Sequence, residues 1–181
     1  MKKIFIIILF MFGIFGKVSA NYTKLAYDFE FKNINGNMIK LSDYKNKVLV
    51  VVNVASRCGY TPQYEGLQSL WSNYKNKNLV VIGVPTNNFK QEPGTNKEIK
   101  DFCETNFGIN FPITEKTNVI GNNAHPFYKW AKKNHGLGAI PKWNFHKIII
   151  GKNGKVVDTF ASFTKPTSKK FINLVEKEIK N

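Results

Sequence analysis

Cys58 and Cys103 are the two residues of this 181-residue chain whose types offer redox or nucleophilic chemistry, and they stand 45 positions apart. Cys58 sits in Ser56-Arg57-Cys58-Gly59-Tyr60-Thr61-Pro62, directly after the apolar, β-branched run 48–55. That run reads as a fully buried strand. Tyr64, Leu67, Leu70, Trp71 and Tyr74 recur at helical spacing, so 62–74 reads as a helix, with Thr61 as its cap and Pro62 at its first position. Cys58 then lies in a strand-to-helix turn. Unpaired N–H groups and the helix dipole favour an anion there, and Arg57 adds a positive neighbour. Both influences favour the thiolate, the form that attacks a peroxide oxygen and becomes a sulfenic acid. A buried inert thiol, or half of a structural disulfide, explains the placement equally well.

The remaining elements must hold that turn in place. Residues 29–32 and 38–41 flank Asn33-Ile34-Asn35-Gly36-Asn37, a hairpin signal, and 79–84 reads as a second buried strand. Thr95-Asn96-Lys97-Glu98 is a capping box whose helix should run to about Asn106. Ile99, Phe102, Cys103 and Phe107 share one apolar face of it, where a cysteine can simply pack. A third helix is expected over 124–133, with His125 before Pro126 as a structural residue at its start. Residues 146–150 and 155–160 should pair across Gly151-Lys152-Asn153-Gly154, followed by a terminal helix over 166–179. This order predicts an α/β protein of the thioredoxin-like fold, with a mixed central β-sheet flanked by helices on both faces and an N-terminal β-hairpin.

The stretch Asn53-Val54-Ala55-Ser56-Arg57-Cys58-Gly59-Tyr60-Thr61 closely resembles the signature of the glutathione peroxidase family, in which the Cys58 position holds selenocysteine or cysteine. Three further blocks agree in order and spacing. Val80, Ile82, Gly83, Val84 and Pro85 lead into Asn88-Phe89-Lys90-Gln91-Glu92-Pro93-Gly94. The run 107–112 precedes His125-Pro126-Phe127-Tyr128. Trp143-Asn144-Phe145-His146-Lys147 comes last. The resemblance spans about residues 25 to 180. It implies a tetrad of Cys58 as peroxidatic nucleophile with Gln91, Trp143 and Asn144 as hydrogen-bond donors around it. It also implies that Cys103 resolves the sulfenic acid to a disulfide, which a thioredoxin-like dithiol or glutathione then reduces. One departure stands out: only Lys90 separates Phe89 from Gln91, where the family commonly has two residues starting with Gly. Thr86 occupies a position where many relatives carry an extra cysteine. No cofactor or metal is implied, and the substrate is hydrogen peroxide or an organic or lipid hydroperoxide.

The first residues read as an address. Lys2 and Lys3 precede the apolar run 4–16, and Ser19-Ala20 closes a small-residue cleavage site. At ~1.5 Å per residue that run reaches roughly 20 Å, short of a bilayer core of ~30 Å. A secretory signal over 1–20 and a single peroxidase domain over 21–181 are therefore expected, exported to the periplasm or secreted. Loss of Lys2, Lys3 and Lys17 takes the formal charge from +15 to +12. Arg57 is the sole arginine, so nucleic-acid recognition is not expected, whereas weak attraction to an anionic membrane surface is. The resemblance implies an open site and a monomer or weak dimer, since tetrameric relatives carry a long loop where the segment 133–141 is short here. Cys58 lacks a partner cysteine three residues on, since Thr61 stands there, and the histidines lack zinc-ligand spacing. The rival readings are a secreted redox sensor, or a basic binding module with a structural Cys58–Cys103 disulfide.

Overall fold

A computed structural model describes residues 22–181, so the expected signal over 1–20 lies outside the described residues. The central sheet has the order β4-β3-β5-β6, built from β3 (Val48–Val54), β4 (Leu79–Pro85), β5 (Lys147–Ile150) and β6 (Val156–Phe160). β3 pairs with β4 in parallel and with β5 antiparallel, and β5 pairs with β6 antiparallel. The mixed sheet expected from the sequence is thus present. An antiparallel hairpin of β1 (Glu30–Lys32) and β2 (Met38–Lys40) stands apart as its own two-stranded sheet.

All of β3 is buried because both of its faces are covered, which is why its sequence is a continuous apolar run. Val48, Val50, Val52 and Val54 face one core, completed by Tyr64 and Leu67 of α1 (Gln63–Tyr74), Ile99 and Cys103 of α2 (Asn96–Phe107), and Phe171 and Val175 of α4 (Lys169–Lys180). Leu49 and Val51 face the other core, with Phe127 and Ala131 of α3 (Pro126–His135) and with Phe31 and Ile39 of the hairpin. His125 proves structural, as expected: its Nδ1 accepts the Phe127 N–H at 3.3 Å, and its ring stacks on Phe31 at 4.0 Å.

Three helix starts differ from the sequence reading. α1 begins at Gln63, with Pro62 before it and no side-chain cap, because the Thr61 hydroxyl is engaged elsewhere. α3 begins at Pro126 rather than at Ala124, whose N–H is held in a turn to the Gly121 carbonyl. α4 begins at Lys169, since Ser168 stays extended and Pro166 lies in the turn before it.

Candidate active site

β3 delivers the chain into the Cys58 turn, and Thr61 closes that turn. The Thr61 hydroxyl accepts the Cys58 N–H at 3.1 Å and donates to the Ala55 carbonyl at 2.9 Å. The Thr61 N–H bonds the Cys58 carbonyl at 2.9 Å. The hydroxyl is directed into this turn and makes no cap bond to α1. Cys58 is 8% exposed, and among the described residues its Sγ accepts one hydrogen bond, from the Tyr60 N–H at 3.4 Å. The Arg57 side chain is exposed and lines a cavity of about 170 Å³ with Ser56, Glu92, Glu98, Ile99 and Phe102, on the α2 side of the loop.

Asn53, near the end of β3, holds the second segment. Its Nδ2 donates to the Trp143 carbonyl at 3.1 Å, its carbonyl accepts the Phe145 N–H at 2.6 Å, and its N–H bonds the His146 carbonyl at 3.2 Å. Phe145 is buried and sits at φ 62°, so the chain turns sharply between the Trp143-Asn144 pair and β5. The Trp143 ring is 41% exposed and lies 5.4 Å from the Phe89 ring. Asn144 is buried and donates through Nδ2 to Gln91 Oε1 at 3.0 Å. Gln91 accepts through its oxygen and so keeps its own amide N–H groups as donors. The shortened loop reaches this geometry because Lys90 takes φ 57°, the left-handed region where glycine is favoured.

The structure thus brings Gln91 and Asn144 into contact and seats Trp143 against Phe89. The Arg57 N–H ties the Cys58 loop to the Gln91 carbonyl at 3.0 Å. In this arrangement neither Gln91, Trp143 nor Asn144 bonds the sulfur. Thr86 bonds Asn88 at 3.0 Å and serves the loop, not the sulfur.

Cys103 is a free thiol, as is Cys58, and it is fully buried in the middle of α2. Burial pushes it up to about 11; the Tyr64 hydroxyl beside it lowers it, and Glu92 and Glu104 raise it. α2 is well finished at both ends. Thr95 and Glu98 form the expected capping box, and Gly108 at φ 59° closes the other end. Lys97–Asp101 and Lys100–Glu104 pair along the solvent face.

Three supporting residues escaped the sequence reading. Glu92 is buried and takes the Ser56 N–H and hydroxyl on one oxygen, at 2.8 and 3.0 Å. Burial pushes its carboxyl up, against the pull of the Ser56 bonds and of Lys116 and Arg57. Lys147 is fully buried and donates to Gln63 Oε1 at 2.5 Å and to the Thr164 carbonyl at 2.7 Å. Asn53 is the third, and a lone amide inside a valine run was its one visible sign.

A thioredoxin-like sheet that presents a cysteine at the end of its central strand, in a turn entering a helix, defines a thiol-based oxidoreductase. Comparisons with known proteins narrow the class. A family model described as glutathione peroxidase matches residues 26–132. The chain is 46% identical over 151 residues to glutathione peroxidase-like peroxiredoxin 2 of Saccharomyces cerevisiae, covering 81% of this chain and 93% of that one. It is 42% identical over 158 residues to hydroperoxy fatty acid reductase gpx1 of Synechocystis sp., covering 82% and 94%. The crystal structure of Trgpx in apo form superposes with a TM-score of 0.70 at 37% identity, covering 88% of this chain and 98% of that one. The chain belongs to the glutathione peroxidase family, and it is a peroxidase.

Proposed function

We propose that the protein reduces hydrogen peroxide and organic or lipid hydroperoxides through Cys58, with Cys103 as the resolving thiol. The observation that carries this reading is the Cys58 turn, which aims the Tyr60 N–H at the sulfur and is tied, through the Arg57 N–H, to the carbonyl of Gln91, whose side chain bonds Asn144. The Cys58 thiolate attacks the terminal peroxide oxygen. An S–O bond forms, the O–O bond breaks, and the leaving alkoxide or hydroxide takes up a proton as alcohol or water. The free donors of Gln91 and Trp143 face the charge that develops on the leaving oxygen. The product is the Cys58 sulfenic acid. Cys103, freed by opening of α2, then attacks that sulfur, forms the disulfide and releases water.

The burial of Cys103 supports this order of events, because a thiol held up near 11 stays protonated and unreactive until the helix opens. A thioredoxin-like dithiol protein is the reductant the disulfide suits, with glutathione as the alternative. The names of the yeast and Synechocystis relatives support a peroxiredoxin-type cycle and lipid-derived substrates. The exposed Trp143 supports an open site that admits bulky peroxides, acting in a monomer or weak dimer. The signal-like residues 1–20 support a mature domain beginning near Asn21 and export to the periplasm or medium. The charge of +12 left after cleavage supports weak contact with anionic lipid.

Cys103→Ser tests the two-cysteine cycle. The variant should consume one equivalent of peroxide at the wild-type rate and accumulate Cys58 sulfenic acid, yet fail to cycle with thioredoxin and its reductase. Undiminished thioredoxin-supported turnover in this variant would contradict the assignment of Cys103.

A further inference from the structure

Glu92 is an ionisable group in the interior that the four expected site residues do not account for. Its Oε2 accepts both the N–H and the hydroxyl of Ser56, at 2.8 and 3.0 Å. The next residue along the loop, Arg57, donates its N–H to the Gln91 carbonyl at 3.0 Å. Two consecutive residues of the Cys58 loop are therefore bonded to two consecutive residues of the Gln91 loop. Cys58 follows directly on one side of this two-rung tie, and the Gln91 side chain, bonded to Asn144, projects from the other. The tie is itself braced. The Glu92 N–H donates to Asn87 Oδ1 at 3.0 Å, and Lys116 Nζ donates to the Gly94 carbonyl at 2.7 Å, just before the α2 cap.

The charges facing this carboxylate come from every neighbouring element. Arg57 lies on the Cys58 loop, and Lys116 on the segment that precedes α3. Cys103 of α2 and Tyr64 of α1 both feel the Glu92 charge, and Glu98 shares the adjacent cavity. No carboxylate but Glu92 bonds the Cys58 loop among the described residues.

We propose that Glu92 is a positioning residue for the peroxidatic step: its ionised carboxylate holds the Cys58 loop in register with the Gln91–Asn144 pair. The inference rests on the peroxidase reading above. An ionised carboxylate accepts both Ser56 bonds with charge assistance, whereas the protonated acid must give up acceptor capacity at one oxygen. Alanine leaves the half-buried Ser56 N–H without its carboxylate acceptor, so the loop shifts to find another. Glutamine keeps a neutral oxygen acceptor in the same place and does not titrate.

The test measures the second-order rate of Cys58 oxidation by one equivalent of hydrogen peroxide in the reduced wild-type protein, in Glu92→Gln and in Glu92→Ala, from pH 5 to 8. Glu92→Ala should slow oxidation by about 10- to 100-fold, the penalty of a misplaced reacting group. Glu92→Gln should stay within about fivefold of wild type at pH 7.5, since it loses charge assistance and keeps the bonds. The ratio of wild type to Glu92→Gln should fall towards one as the pH drops through the range of the Glu92 carboxyl. A merely structural residue would leave that ratio flat. A flat ratio, or a folded Glu92→Ala protein oxidised at the wild-type rate, overturns the assignment. If Glu92→Ala does not fold, the Glu92→Gln ratio decides. A wild-type protein that reacts no faster than an ordinary thiol overturns the peroxidase reading and this inference with it. A fast wild type with a flat ratio overturns the Glu92 assignment alone.

Discussion

Lys147→Met should remove a defined component of the pH dependence of stability. Lys147 is fully buried beneath the first turn of α1, with Gln63 Oε1 and the Thr164 carbonyl as its partners and no carboxylate within ion-pair distance among the described residues. Burial lowers it from 10.5 to about 7. The unfolded chain therefore keeps this proton over a range in which the folded chain has released it, and stability must rise with pH between the two values. Below about pH 7 both states are protonated and the folded state bears the whole cost; above 10.5 neither is protonated and the cost is gone. Integrating this difference from pH 7 to 9 gives a gain of about 2 kcal/mol for the wild type. A methionine in place of Lys147 would fill a similar volume without a charge, so the variant lacks that slope. It also strands the two acceptors, but that penalty is the same at every pH. Urea unfolding of both proteins under reductant at pH 7, 8 and 9 measures the effect. Titration of Cys103 is common to both and cancels in the difference. The gap between the two stabilities should shift by about 2 kcal/mol in favour of wild type as the pH rises. Parallel curves would refute the reasoning, because they would mean that Lys147 holds its proton equally in both states.

Three further outcomes follow from the geometry. Trp143→Phe keeps a ring against Phe89 but loses the indole N–H, so peroxide reduction should fall by on the order of 10²-fold with the melting temperature unchanged; an unaltered rate would remove Trp143 from the donor set. Thr95→Ala breaks the α2 capping box at a cost of about 1 kcal/mol and should speed Cys58–Cys103 closure about fivefold after rapid oxidation of Cys58. An unchanged closure rate in stopped-flow fluorescence would argue that α2 opening does not limit that step. Gly154→Ala places a methyl group 2.8 Å from the Tyr27 ring at φ 74°, and thermal melts should show a loss of roughly 1–3 kcal/mol.

The elements were legible wherever burial is two-sided or a cap is local. The run through β3 announced a covered strand, and the Thr95–Glu98 box marked α2, because each signal lies within a few adjacent residues. The start of α1 was misread for the opposite reason. Thr61 looks like a cap in sequence, but the Ala55 carbonyl and the Cys58 N–H, both brought to it by the turn, compete for the same hydroxyl. Cys58 and Cys103 could be singled out by residue type. Gln91, Trp143 and Asn144 could be proposed only through resemblance, since an amide or an indole in a loop carries no chemical signature of its own. Glu92 and Lys147 were missed because their importance lies in partners 36 and 84 positions away, contacts that no local pattern encodes. The shortened loop before Gln91 was visible, but its resolution, a lysine in the left-handed region, belongs to the three-dimensional turn.

The most direct test of the account is a single addition. One equivalent of hydrogen peroxide is mixed with the reduced protein, peroxide loss is timed, and the cysteine products are mapped by mass. The account predicts loss far faster than with a free thiol, a transient Cys58 sulfenic acid, and then a Cys58–Cys103 disulfide. Peroxide loss at the rate of an ordinary thiol, or rapid loss that never joins Cys58 to Cys103, would contradict it.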